Sequence, residues 1–538
     1  MATLRLPMAY PIELRNSSTD KGSKMVNCYV ESDGTNTYAI KRPGLPDSGI
    51  HLGAGTGQGL TTYKNKIHAV VANTFYKVTG TTPSTIGTLT GNSQQCYFTS
   101  TINENYLFFQ KGDSGYTYDG TTLLKIDPTS IGFVYVDAGG NGYGSVPNVV
   151  FSAPPSGTTA TGHAVIAGGV VTDIIIDNYG SGYVTPPTVT IDPPGGSGTQ
   201  ALASAQLNGF PEGSIVPGTA YLDGYVFVMT TDGKIWTSEP ENPNLWNALN
   251  YVTAEQEPDL GVALAKHFNY LVAFGQWSTQ FFYDAGNAIG SPLLPNTTMT
   301  IEFGCASGDS VVQMEQTVVW VGVGRNTGRM VLMLDGTRPV QVSDASIERI
   351  LNAADLSQVT AYSVKISGHY FYVLNLVNEN ITLVLDIKAR QWSIWTSYNS
   401  GQEDILDGSF YTSYNNQHFT LDISDGKVYN ISESAYSDEA GPIQFRIRTP
   451  LIDADSTKRK FLSRLEIVGD KVSSTLRIRH TDDDYQNWSP YRNVNLGDNR
   501  SVLYQNGSFR RRAYEFFNTD DVPLRLNYCE VDVEPGSV

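Results

Sequence analysis

The sequence is short of charge, and shortest of positive charge: charged residues make up 17% of its 538, with 36 Lys and Arg against 53 Asp and Glu. A net charge of −17 is the wrong sign for a free nucleic-acid binder, which neutralises phosphates with cations. It suits a protein that encloses DNA without holding it, because a like-charged wall repels phosphates, and it is also the charge of plain solubility. Cysteine is scarce. Cys28, Cys96, Cys305 and Cys529 lie far apart with no CxxC pair, which excludes a small disulfide scaffold and a zinc site of that type. They read as buried small hydrophobes of a chain made in a reducing compartment. Long apolar runs are missing as well. No segment approaches the roughly 20 apolar residues of a membrane helix, and Met1–Tyr10, with one arginine, is not a secretory signal. The expectation is synthesis in a cytoplasm and no membrane anchor.

Abundant instead are glycine (52) and tyrosine (31), the composition of strands joined by tight turns. A turn, an alternating apolar strand, a second turn and another alternating strand recur along the chain. Lys66–Val71 precedes Thr74–Val78, Asn105–Phe109 precedes Gly115–Gly120, and Gly224–Val228 precedes Asp232–Trp236. Asn269–Ala273 precedes Ser278–Tyr283, Thr317–Val321 precedes Arg329–Gly336, His369–Val373 precedes Thr382–Asp386, and Gln417–Leu421 precedes Gly426–Tyr429. The first strands are spaced by 39, 119, 45, 48, 52 and 48 residues. All but one fall in the range of a propeller blade, about 40 to 50 residues.

The long gap holds an insertion. Between Pro128 and Gly209 the composition shifts to Gly, Pro, Val and Thr, and the stretch repeats itself at an offset of 40: Val136-Asp137 with Ile176-Asp177, Asn141-Gly142-Tyr143 with Ser181-Gly182-Tyr183, Pro147 with Pro187, Phe151 with Ile191. Two such units are expected to pack face to face. From Pro442 the strands become longer, as in Gln444–Arg448, Arg464–Val468, Thr475–Arg479 and Leu524–Tyr528, apolar on one face and basic on the other. The fold is therefore read as all-β: a six- or seven-bladed β-propeller (1–127 and 210–441) with an inserted duplicated β-module (128–209) and a C-terminal β-sandwich (442–538). One helix is expected after Asp344, with Ile347, Ile350 and Leu351 on its apolar face, strapping two blades.

Sites of chemistry are hard to find. Thr481–Trp488 comes nearest to the Asp-box of sialidase-like propellers but lacks its glycine and threonine. Asp482, Asp483 and Asp484 lack the glycine and glutamate of an EF-hand loop and read as a charged turn. Seven histidines show no HExxH spacing. The glycine-rich Gly53–Gly59 lacks the lysine of a phosphate loop and reads as a flexible connection into the first blade. No enzyme activity, no catalytic or metal site and no cofactor are expected; the alternative is a carbohydrate-binding or glycan-hydrolysing propeller. The basic run Arg510-Arg511-Arg512, with Arg492 and Arg500, is the candidate assembly interface, since arginine makes fixed planar contacts with carboxylates or phosphates; the alternatives are a loose collar on DNA and a solvated strand face.

Three segments resemble a known family. Val26-Asn27-Cys28-Tyr29-Val30-Glu31 precedes Lys41-Arg42-Pro43-Gly44-Leu45; Gly275–Tyr283 leads to Gly286-Asn287-Ala288; and Val342–Leu351 follows. In this order they resemble the packaged-DNA stabilisation proteins, or tail hub (nozzle) proteins, of short-tailed phages (podoviruses). The insertion lies outside the resemblance. It implies a homo-hexameric ring below the portal adaptor, continuing the DNA channel, retaining the packaged genome and supporting its ejection, with docking surface for tail fibres, spikes or a plug. Genomic DNA would pass without specific binding. The location implied is the virion tail, after synthesis in the bacterial host cytoplasm.

Overall fold

The computed structural model describes residues 2–10, 12, 22–91, 94–287, 289–454 and 456–536. Strand accounts for 55% of the chain and helix for 3%, so the fold is all-β, in the many small sheets of a propeller. Six of the seven hairpins read from the sequence form the central pair of a small sheet; the seventh, His369–Val373 with Thr382–Asp386, lies within a ten-stranded sheet, between Val359–Ile366 and Gln391–Asn399. The turns explain part of this. Lys64-Asn65, Ala72-Asn73 and Asn415-Asn416 have positive φ at both residues, the backbone of two-residue hairpin loops whose twist matches the strands they join.

Two compact units are formed, by residues 90–308 and by residues 1–89 with 309–538. In the first, three four-stranded meanders are built on Leu107–Lys111, Tyr225–Thr230 and Tyr270–Gly275. Tyr225–Thr230 is apolar without alternation because both its faces are covered. Val226 and Val228 pack with Phe108, Phe210 and Trp246, while Phe227 and Met229 pack with Leu264, Leu271 and Phe282. Each such side chain contributes about 1.5–3 kcal/mol on burial.

The insertion has one core, containing Tyr143, Val149, Phe151, Ile174, Tyr183 and Ile191. Its two copies do not pack as separate units; they exchange strands. Ile131–Ala138 of the first pairs with Leu202–Leu207 of the second, Thr161–Ala167 with Val170–Asn178, and Val149–Phe151 with Thr188–Ile191. Exchange satisfies strand edges that face-to-face packing would leave open. The repeated tyrosines complete it. Tyr143 Oη accepts from Ala201 N (2.9 Å) and donates to Asp192 O (3.2 Å), and Tyr183 Oη accepts from Ala160 N (2.9 Å) and donates to Ser152 O (3.2 Å). Each copy thereby pins a loop of the other. The glycine before each tyrosine is obligatory at Gly182, where φ is +80° and a Cβ would lie 1.8 Å from Ser156 O.

In the other unit, Phe410–Tyr414, Gln417–Leu421 and Lys427–Ile431 take their fourth strand from Asp47–His51, far upstream. The Gly53–Gly59 run is not merely flexible. A Cβ on Gly57 would lie 2.1 Å from Asp422 O, so glycine lets two backbones meet. The helix spans Ala345–Ala353, capped by Asp344, which accepts from Ser346 N and Ile347 N at 2.9 Å. Ile347 and Leu351 are buried.

The C-terminal strands form two sheets over a shared core, but they do not do so alone. The early strands Ala2–Pro7, Lys24–Val26, Cys28–Ser32 and Thr37–Lys41, read from the sequence as part of the propeller, join these sheets. Ala2–Pro7 and Thr37–Lys41 pair with Arg525–Pro535, and Lys24–Val26 lies between Phe445–Arg448 and Gln391–Asn399. Leu6, Met25 and Cys28 share one core with Phe445, Leu465, Ile478, Phe516 and Cys529. All four cysteines are buried free thiols, and burial pushes the Cys96 thiol up to about 12.

Replacing Tyr183 by phenylalanine leaves the buried Ala160 amide without a partner, at a cost of about 1–3 kcal/mol. Hydrogen exchange at Ala160 is expected to accelerate by about tenfold or more; an unchanged rate would show that the tyrosine does not tie the two copies together.

Candidate assembly surface

Two of the three resembling segments are anchors of the fold around buried polar groups. Asn27 has φ +56°, and its side chain accepts from Arg42 Nε (2.9 Å) and Thr396 N (2.8 Å). Arg42 donates to both oxygens of Asp438, Nη1–Oδ1 2.9 Å and Nη2–Oδ2 2.5 Å, with each side chain 1% exposed. A Cβ at Gly44 would lie 2.2 Å from Ser437 O, so the chain passes this point only as glycine. Lys41 donates to Asp520 O (2.6 Å), and burial, then the Arg42 charge, lowers its pKa to about 8. In the second segment Asp259 accepts from Trp277 N (2.7 Å) and Ser278 N (2.9 Å), and a Cβ on Gly275 would lie 2.5 Å from that carboxylate. Ala288 lies outside the described residues. In the third, Val342 O accepts from Trp392 Nε1 (2.8 Å) ahead of the capped helix.

The five arginines nominated from the sequence differ in exposure and in partners. Arg512 is 2% exposed, donates to both carboxylate oxygens of Asp482 at 2.7 Å and to Asn506 O at 2.5 Å, and is spent inside the chain. Its isolated bridge to Ile452 fixes the backbone so that it points inward. Arg500 pairs with Glu466 (2.5 Å), and Arg492 donates to Tyr504 O (2.5 Å) and Asn506 Oδ1 (2.9 Å). Arg510 is exposed and donates to Thr457 O (3.1 Å). Arg511 is exposed on the rim of a cleft lined by Asp453, Asp482, Asp483 and Asp484. Asp483 accepts from Asn487 N and Thr481 Oγ1, which holds its pKa at about 2, the chemistry of a turn. Among the described residues no three His, Cys, Asp or Glu side chains are grouped to hold a metal.

A denser constellation covers the outer face of the sheet formed by Phe445–Arg448, Ala513–Asn518 and Thr475–Thr481. Alternation sends Phe445, Ile447, Leu476, Ile478 and Phe516 into the core and Arg446, Arg448, Arg477, Arg479 and Glu515 to the opposite face. Glu515 is fully buried there. It accepts from Arg448 Nε (2.5 Å), Arg479 Nε (2.7 Å) and Tyr491 Oη (2.5 Å). Burial raises its pKa, but Arg448 and Tyr491 outweigh burial and hold it below the usual carboxylate value. Arg479 sits over the rings of Tyr491 (4.6 Å) and Trp488 (4.8 Å), and Arg477 over Phe517 (4.5 Å). Arg446 pairs with Glu403 (2.8 Å). Four guanidinium groups thus meet two carboxylates, and the face is net positive. The basic alternation of Arg477 and Arg479 was legible in the sequence. Glu515 between apolar neighbours in Ala513–Asn518 was its unread signal.

Charge is unevenly spread. Residues 90–308 hold eighteen Asp and Glu against four lysines and no arginine, whereas residues 442–538 hold fifteen basic and fourteen acidic residues.

Residues 210–436 match a family model described as Phage_stabilise: Bacteriophage P22 Gp10, beta-propeller. The match covers less than half of the chain and likens that stretch to a phage structural protein. No curated protein matches the chain. Among solved structures, the computationally designed Ika8 protein aligns at 13% identity over 72% of this chain and 99% of its own, with a TM-score of 0.33. BamB from Moraxella catarrhalis aligns at 9% identity over 73% and 99%, also at 0.33, and a chain of the mitotic checkpoint complex at 9% over 78% and 96%, at 0.35. At such scores these likenesses define neither fold nor function.

Removing one partner of the Arg42–Asp438 pair strands a buried charge. Asp438→Ala is expected to destabilise the unit containing it by about 3–5 kcal/mol, read as a lowered calorimetric transition; a transition within a degree of the parent would contradict the anchoring role. Asp407 gives a pH signature. It is buried, and its pKa is raised to about 6, by burial first. A carboxyl raised on folding binds its proton more tightly in the folded state. Stability from this group therefore falls as pH rises from about 4 to about 6, by up to about 3 kcal/mol. Asp407→Asn is expected to stabilise at pH 7 and to flatten that slope; an unaltered pH profile would exclude Asp407 as its source.

Proposed function

We propose that this chain is a structural tail protein of a phage, a hub or nozzle. It assembles as a homo-hexameric ring below the portal-adaptor ring, continues the DNA channel, retains the packaged genome and supports its ejection into the host. It offers docking surface to tail fibres, spikes or a plug, and joins the virion tail after synthesis in the host cytoplasm. The observation that carries the reading is the match of residues 210–436 to the P22 Gp10 propeller family. Two features support it. The resembling segments at Arg42 and Asp259 are used to hold backbone together, as suits a protein that acts by shape. The strong negative charge of residues 90–308 suits a wall past which phosphates slide, since like charges repel them.

Native mass measurement of the chain, alone and mixed with its adaptor ring, tests this reading. A hexamer formed alone or on the adaptor is expected; a monomer under both conditions would overturn it. The same preparation is expected to show no retention of free duplex DNA in a filter assay, and tight, salt-sensitive retention would remove the sliding-wall account.

A further inference from the structure

Two surfaces of opposite character remain for a partner. One is the half-buried arginine–aromatic face around the buried Glu515, from which Arg477, Arg479 and Tyr491 reach solvent. Trp, Tyr and Arg are the residues that dominate binding energy at protein interfaces, and here Tyr491 is 37% exposed beside the net positive guanidinium cluster.

The other lies in residues 90–308, at one end of the three meanders. Lys266 donates to Tyr221 O (3.0 Å), and the Tyr221 hydroxyl meets the backbone of Ile102, so the loops at Ile102, Asp223 and Phe268 gather together. The antiparallel register Tyr270↔Tyr283 brings the loop containing Ile289 to the same end. Its apolar tips face solvent: Ile102 is 58% exposed, Phe268 54% and Ile289 92%. Around them stand Glu104, Asp223 and Glu241, all exposed. Phe268 has φ +51°, a conformation that costs a bulky residue on the order of 1–3 kcal/mol and holds its ring outward against His267 (4.3 Å). The conformation closes the two-residue turn between Gly261–His267 and Tyr270–Gly275 and leaves the ring at its tip.

We propose that the arginine–aromatic face of one copy docks onto the acidic, apolar-tipped end of residues 90–308 in a second copy. The inference rests on the ring reading above and names the surfaces that make the ring. The complement of the cationic face is found on this chain itself, in the region with eighteen acidic residues and no arginine. Each copy carries one of each surface, so the contact is head-to-tail, the arrangement that closes into a ring when the rotation permits. The aromatic and apolar side chains supply burial, and the charges set orientation and make assembly salt-sensitive.

Sedimentation velocity of the full chain, with and without the adaptor ring, tests the proposal. The parent is expected to associate at low salt and to weaken as salt rises. Phe268→Lys with Ile289→Lys alters only exposed tips, so it reports association and not folding; it is expected to weaken self-association at least tenfold. Arg477→Glu, at a guanidinium that donates to Thr519 and not to the buried Glu515, is expected to do the same, and mixing that variant with Asp223→Lys/Glu241→Lys is expected to restore a mixed species. If the tip variant assembles like the parent, the proposal is overturned while the ring reading stands. A parent chain that is monomeric under every condition overturns both.

Discussion

The fold depends on a buried ion pair between positions nearly four hundred residues apart. Arg42 and Asp438 are each 1% exposed at the side chain, and Arg42 also donates to Pro43 O (2.9 Å) and Thr396 O (2.8 Å). An unpaired charge there would cost several kcal/mol, so the pair forms only when the early strands have returned to the late ones. The same return places Asp47–His51 as the fourth strand of a sheet made from residues 410–431 and Ala2–Pro7 against Arg525–Pro535. Early and late segments are thereby held by main-chain hydrogen bonds as well as by charge.

Elsewhere the governing constraint is that a small sheet must cover both faces and its edges. The meanders of residues 90–308 meet it by packing neighbour on neighbour, which is why Tyr225–Thr230 is apolar at successive positions. The insertion meets it by exchanging strands between its two copies and sealing the loops with Tyr143 and Tyr183. Outside the cores, alternation sorts charge to the surface, and the arginines opposite Phe445, Ile447 and Ile478 gather around the one carboxylate placed among them, Glu515.

Much of this was legible in the sequence, for physical reasons that differ by element. Strands buried on two faces leave apolar runs cut by Asn, Asp and Gly, so all seven hairpins could be read. The 40-residue offset revealed the duplication, but exchange of strands leaves no mark, since either arrangement buries the same residues. The pairing of Thr37–Lys41 with Arg525–Pro535 was invisible because its partners are remote in sequence. Arg510-Arg511-Arg512 looked like one basic surface; strand geometry sends the third inward to Asp482. Glu515 was missed because a lone acid among aromatics gives no hint of the guanidinium groups brought to it by two other strands.

The function proposed above makes the molecule an assembly part, and its buried polar groups at Arg42 and Asn27 position backbone. Locating the chain in the particle tests this most directly. A small tag placed in the Gly168-Gly169 turn of the insertion, where a Cβ on Gly168 meets nothing within 4 Å, would mark each copy in electron micrographs of intact virions. A ring of tag density on the tail is predicted; tag density on the capsid shell, or virions without any, would contradict the account.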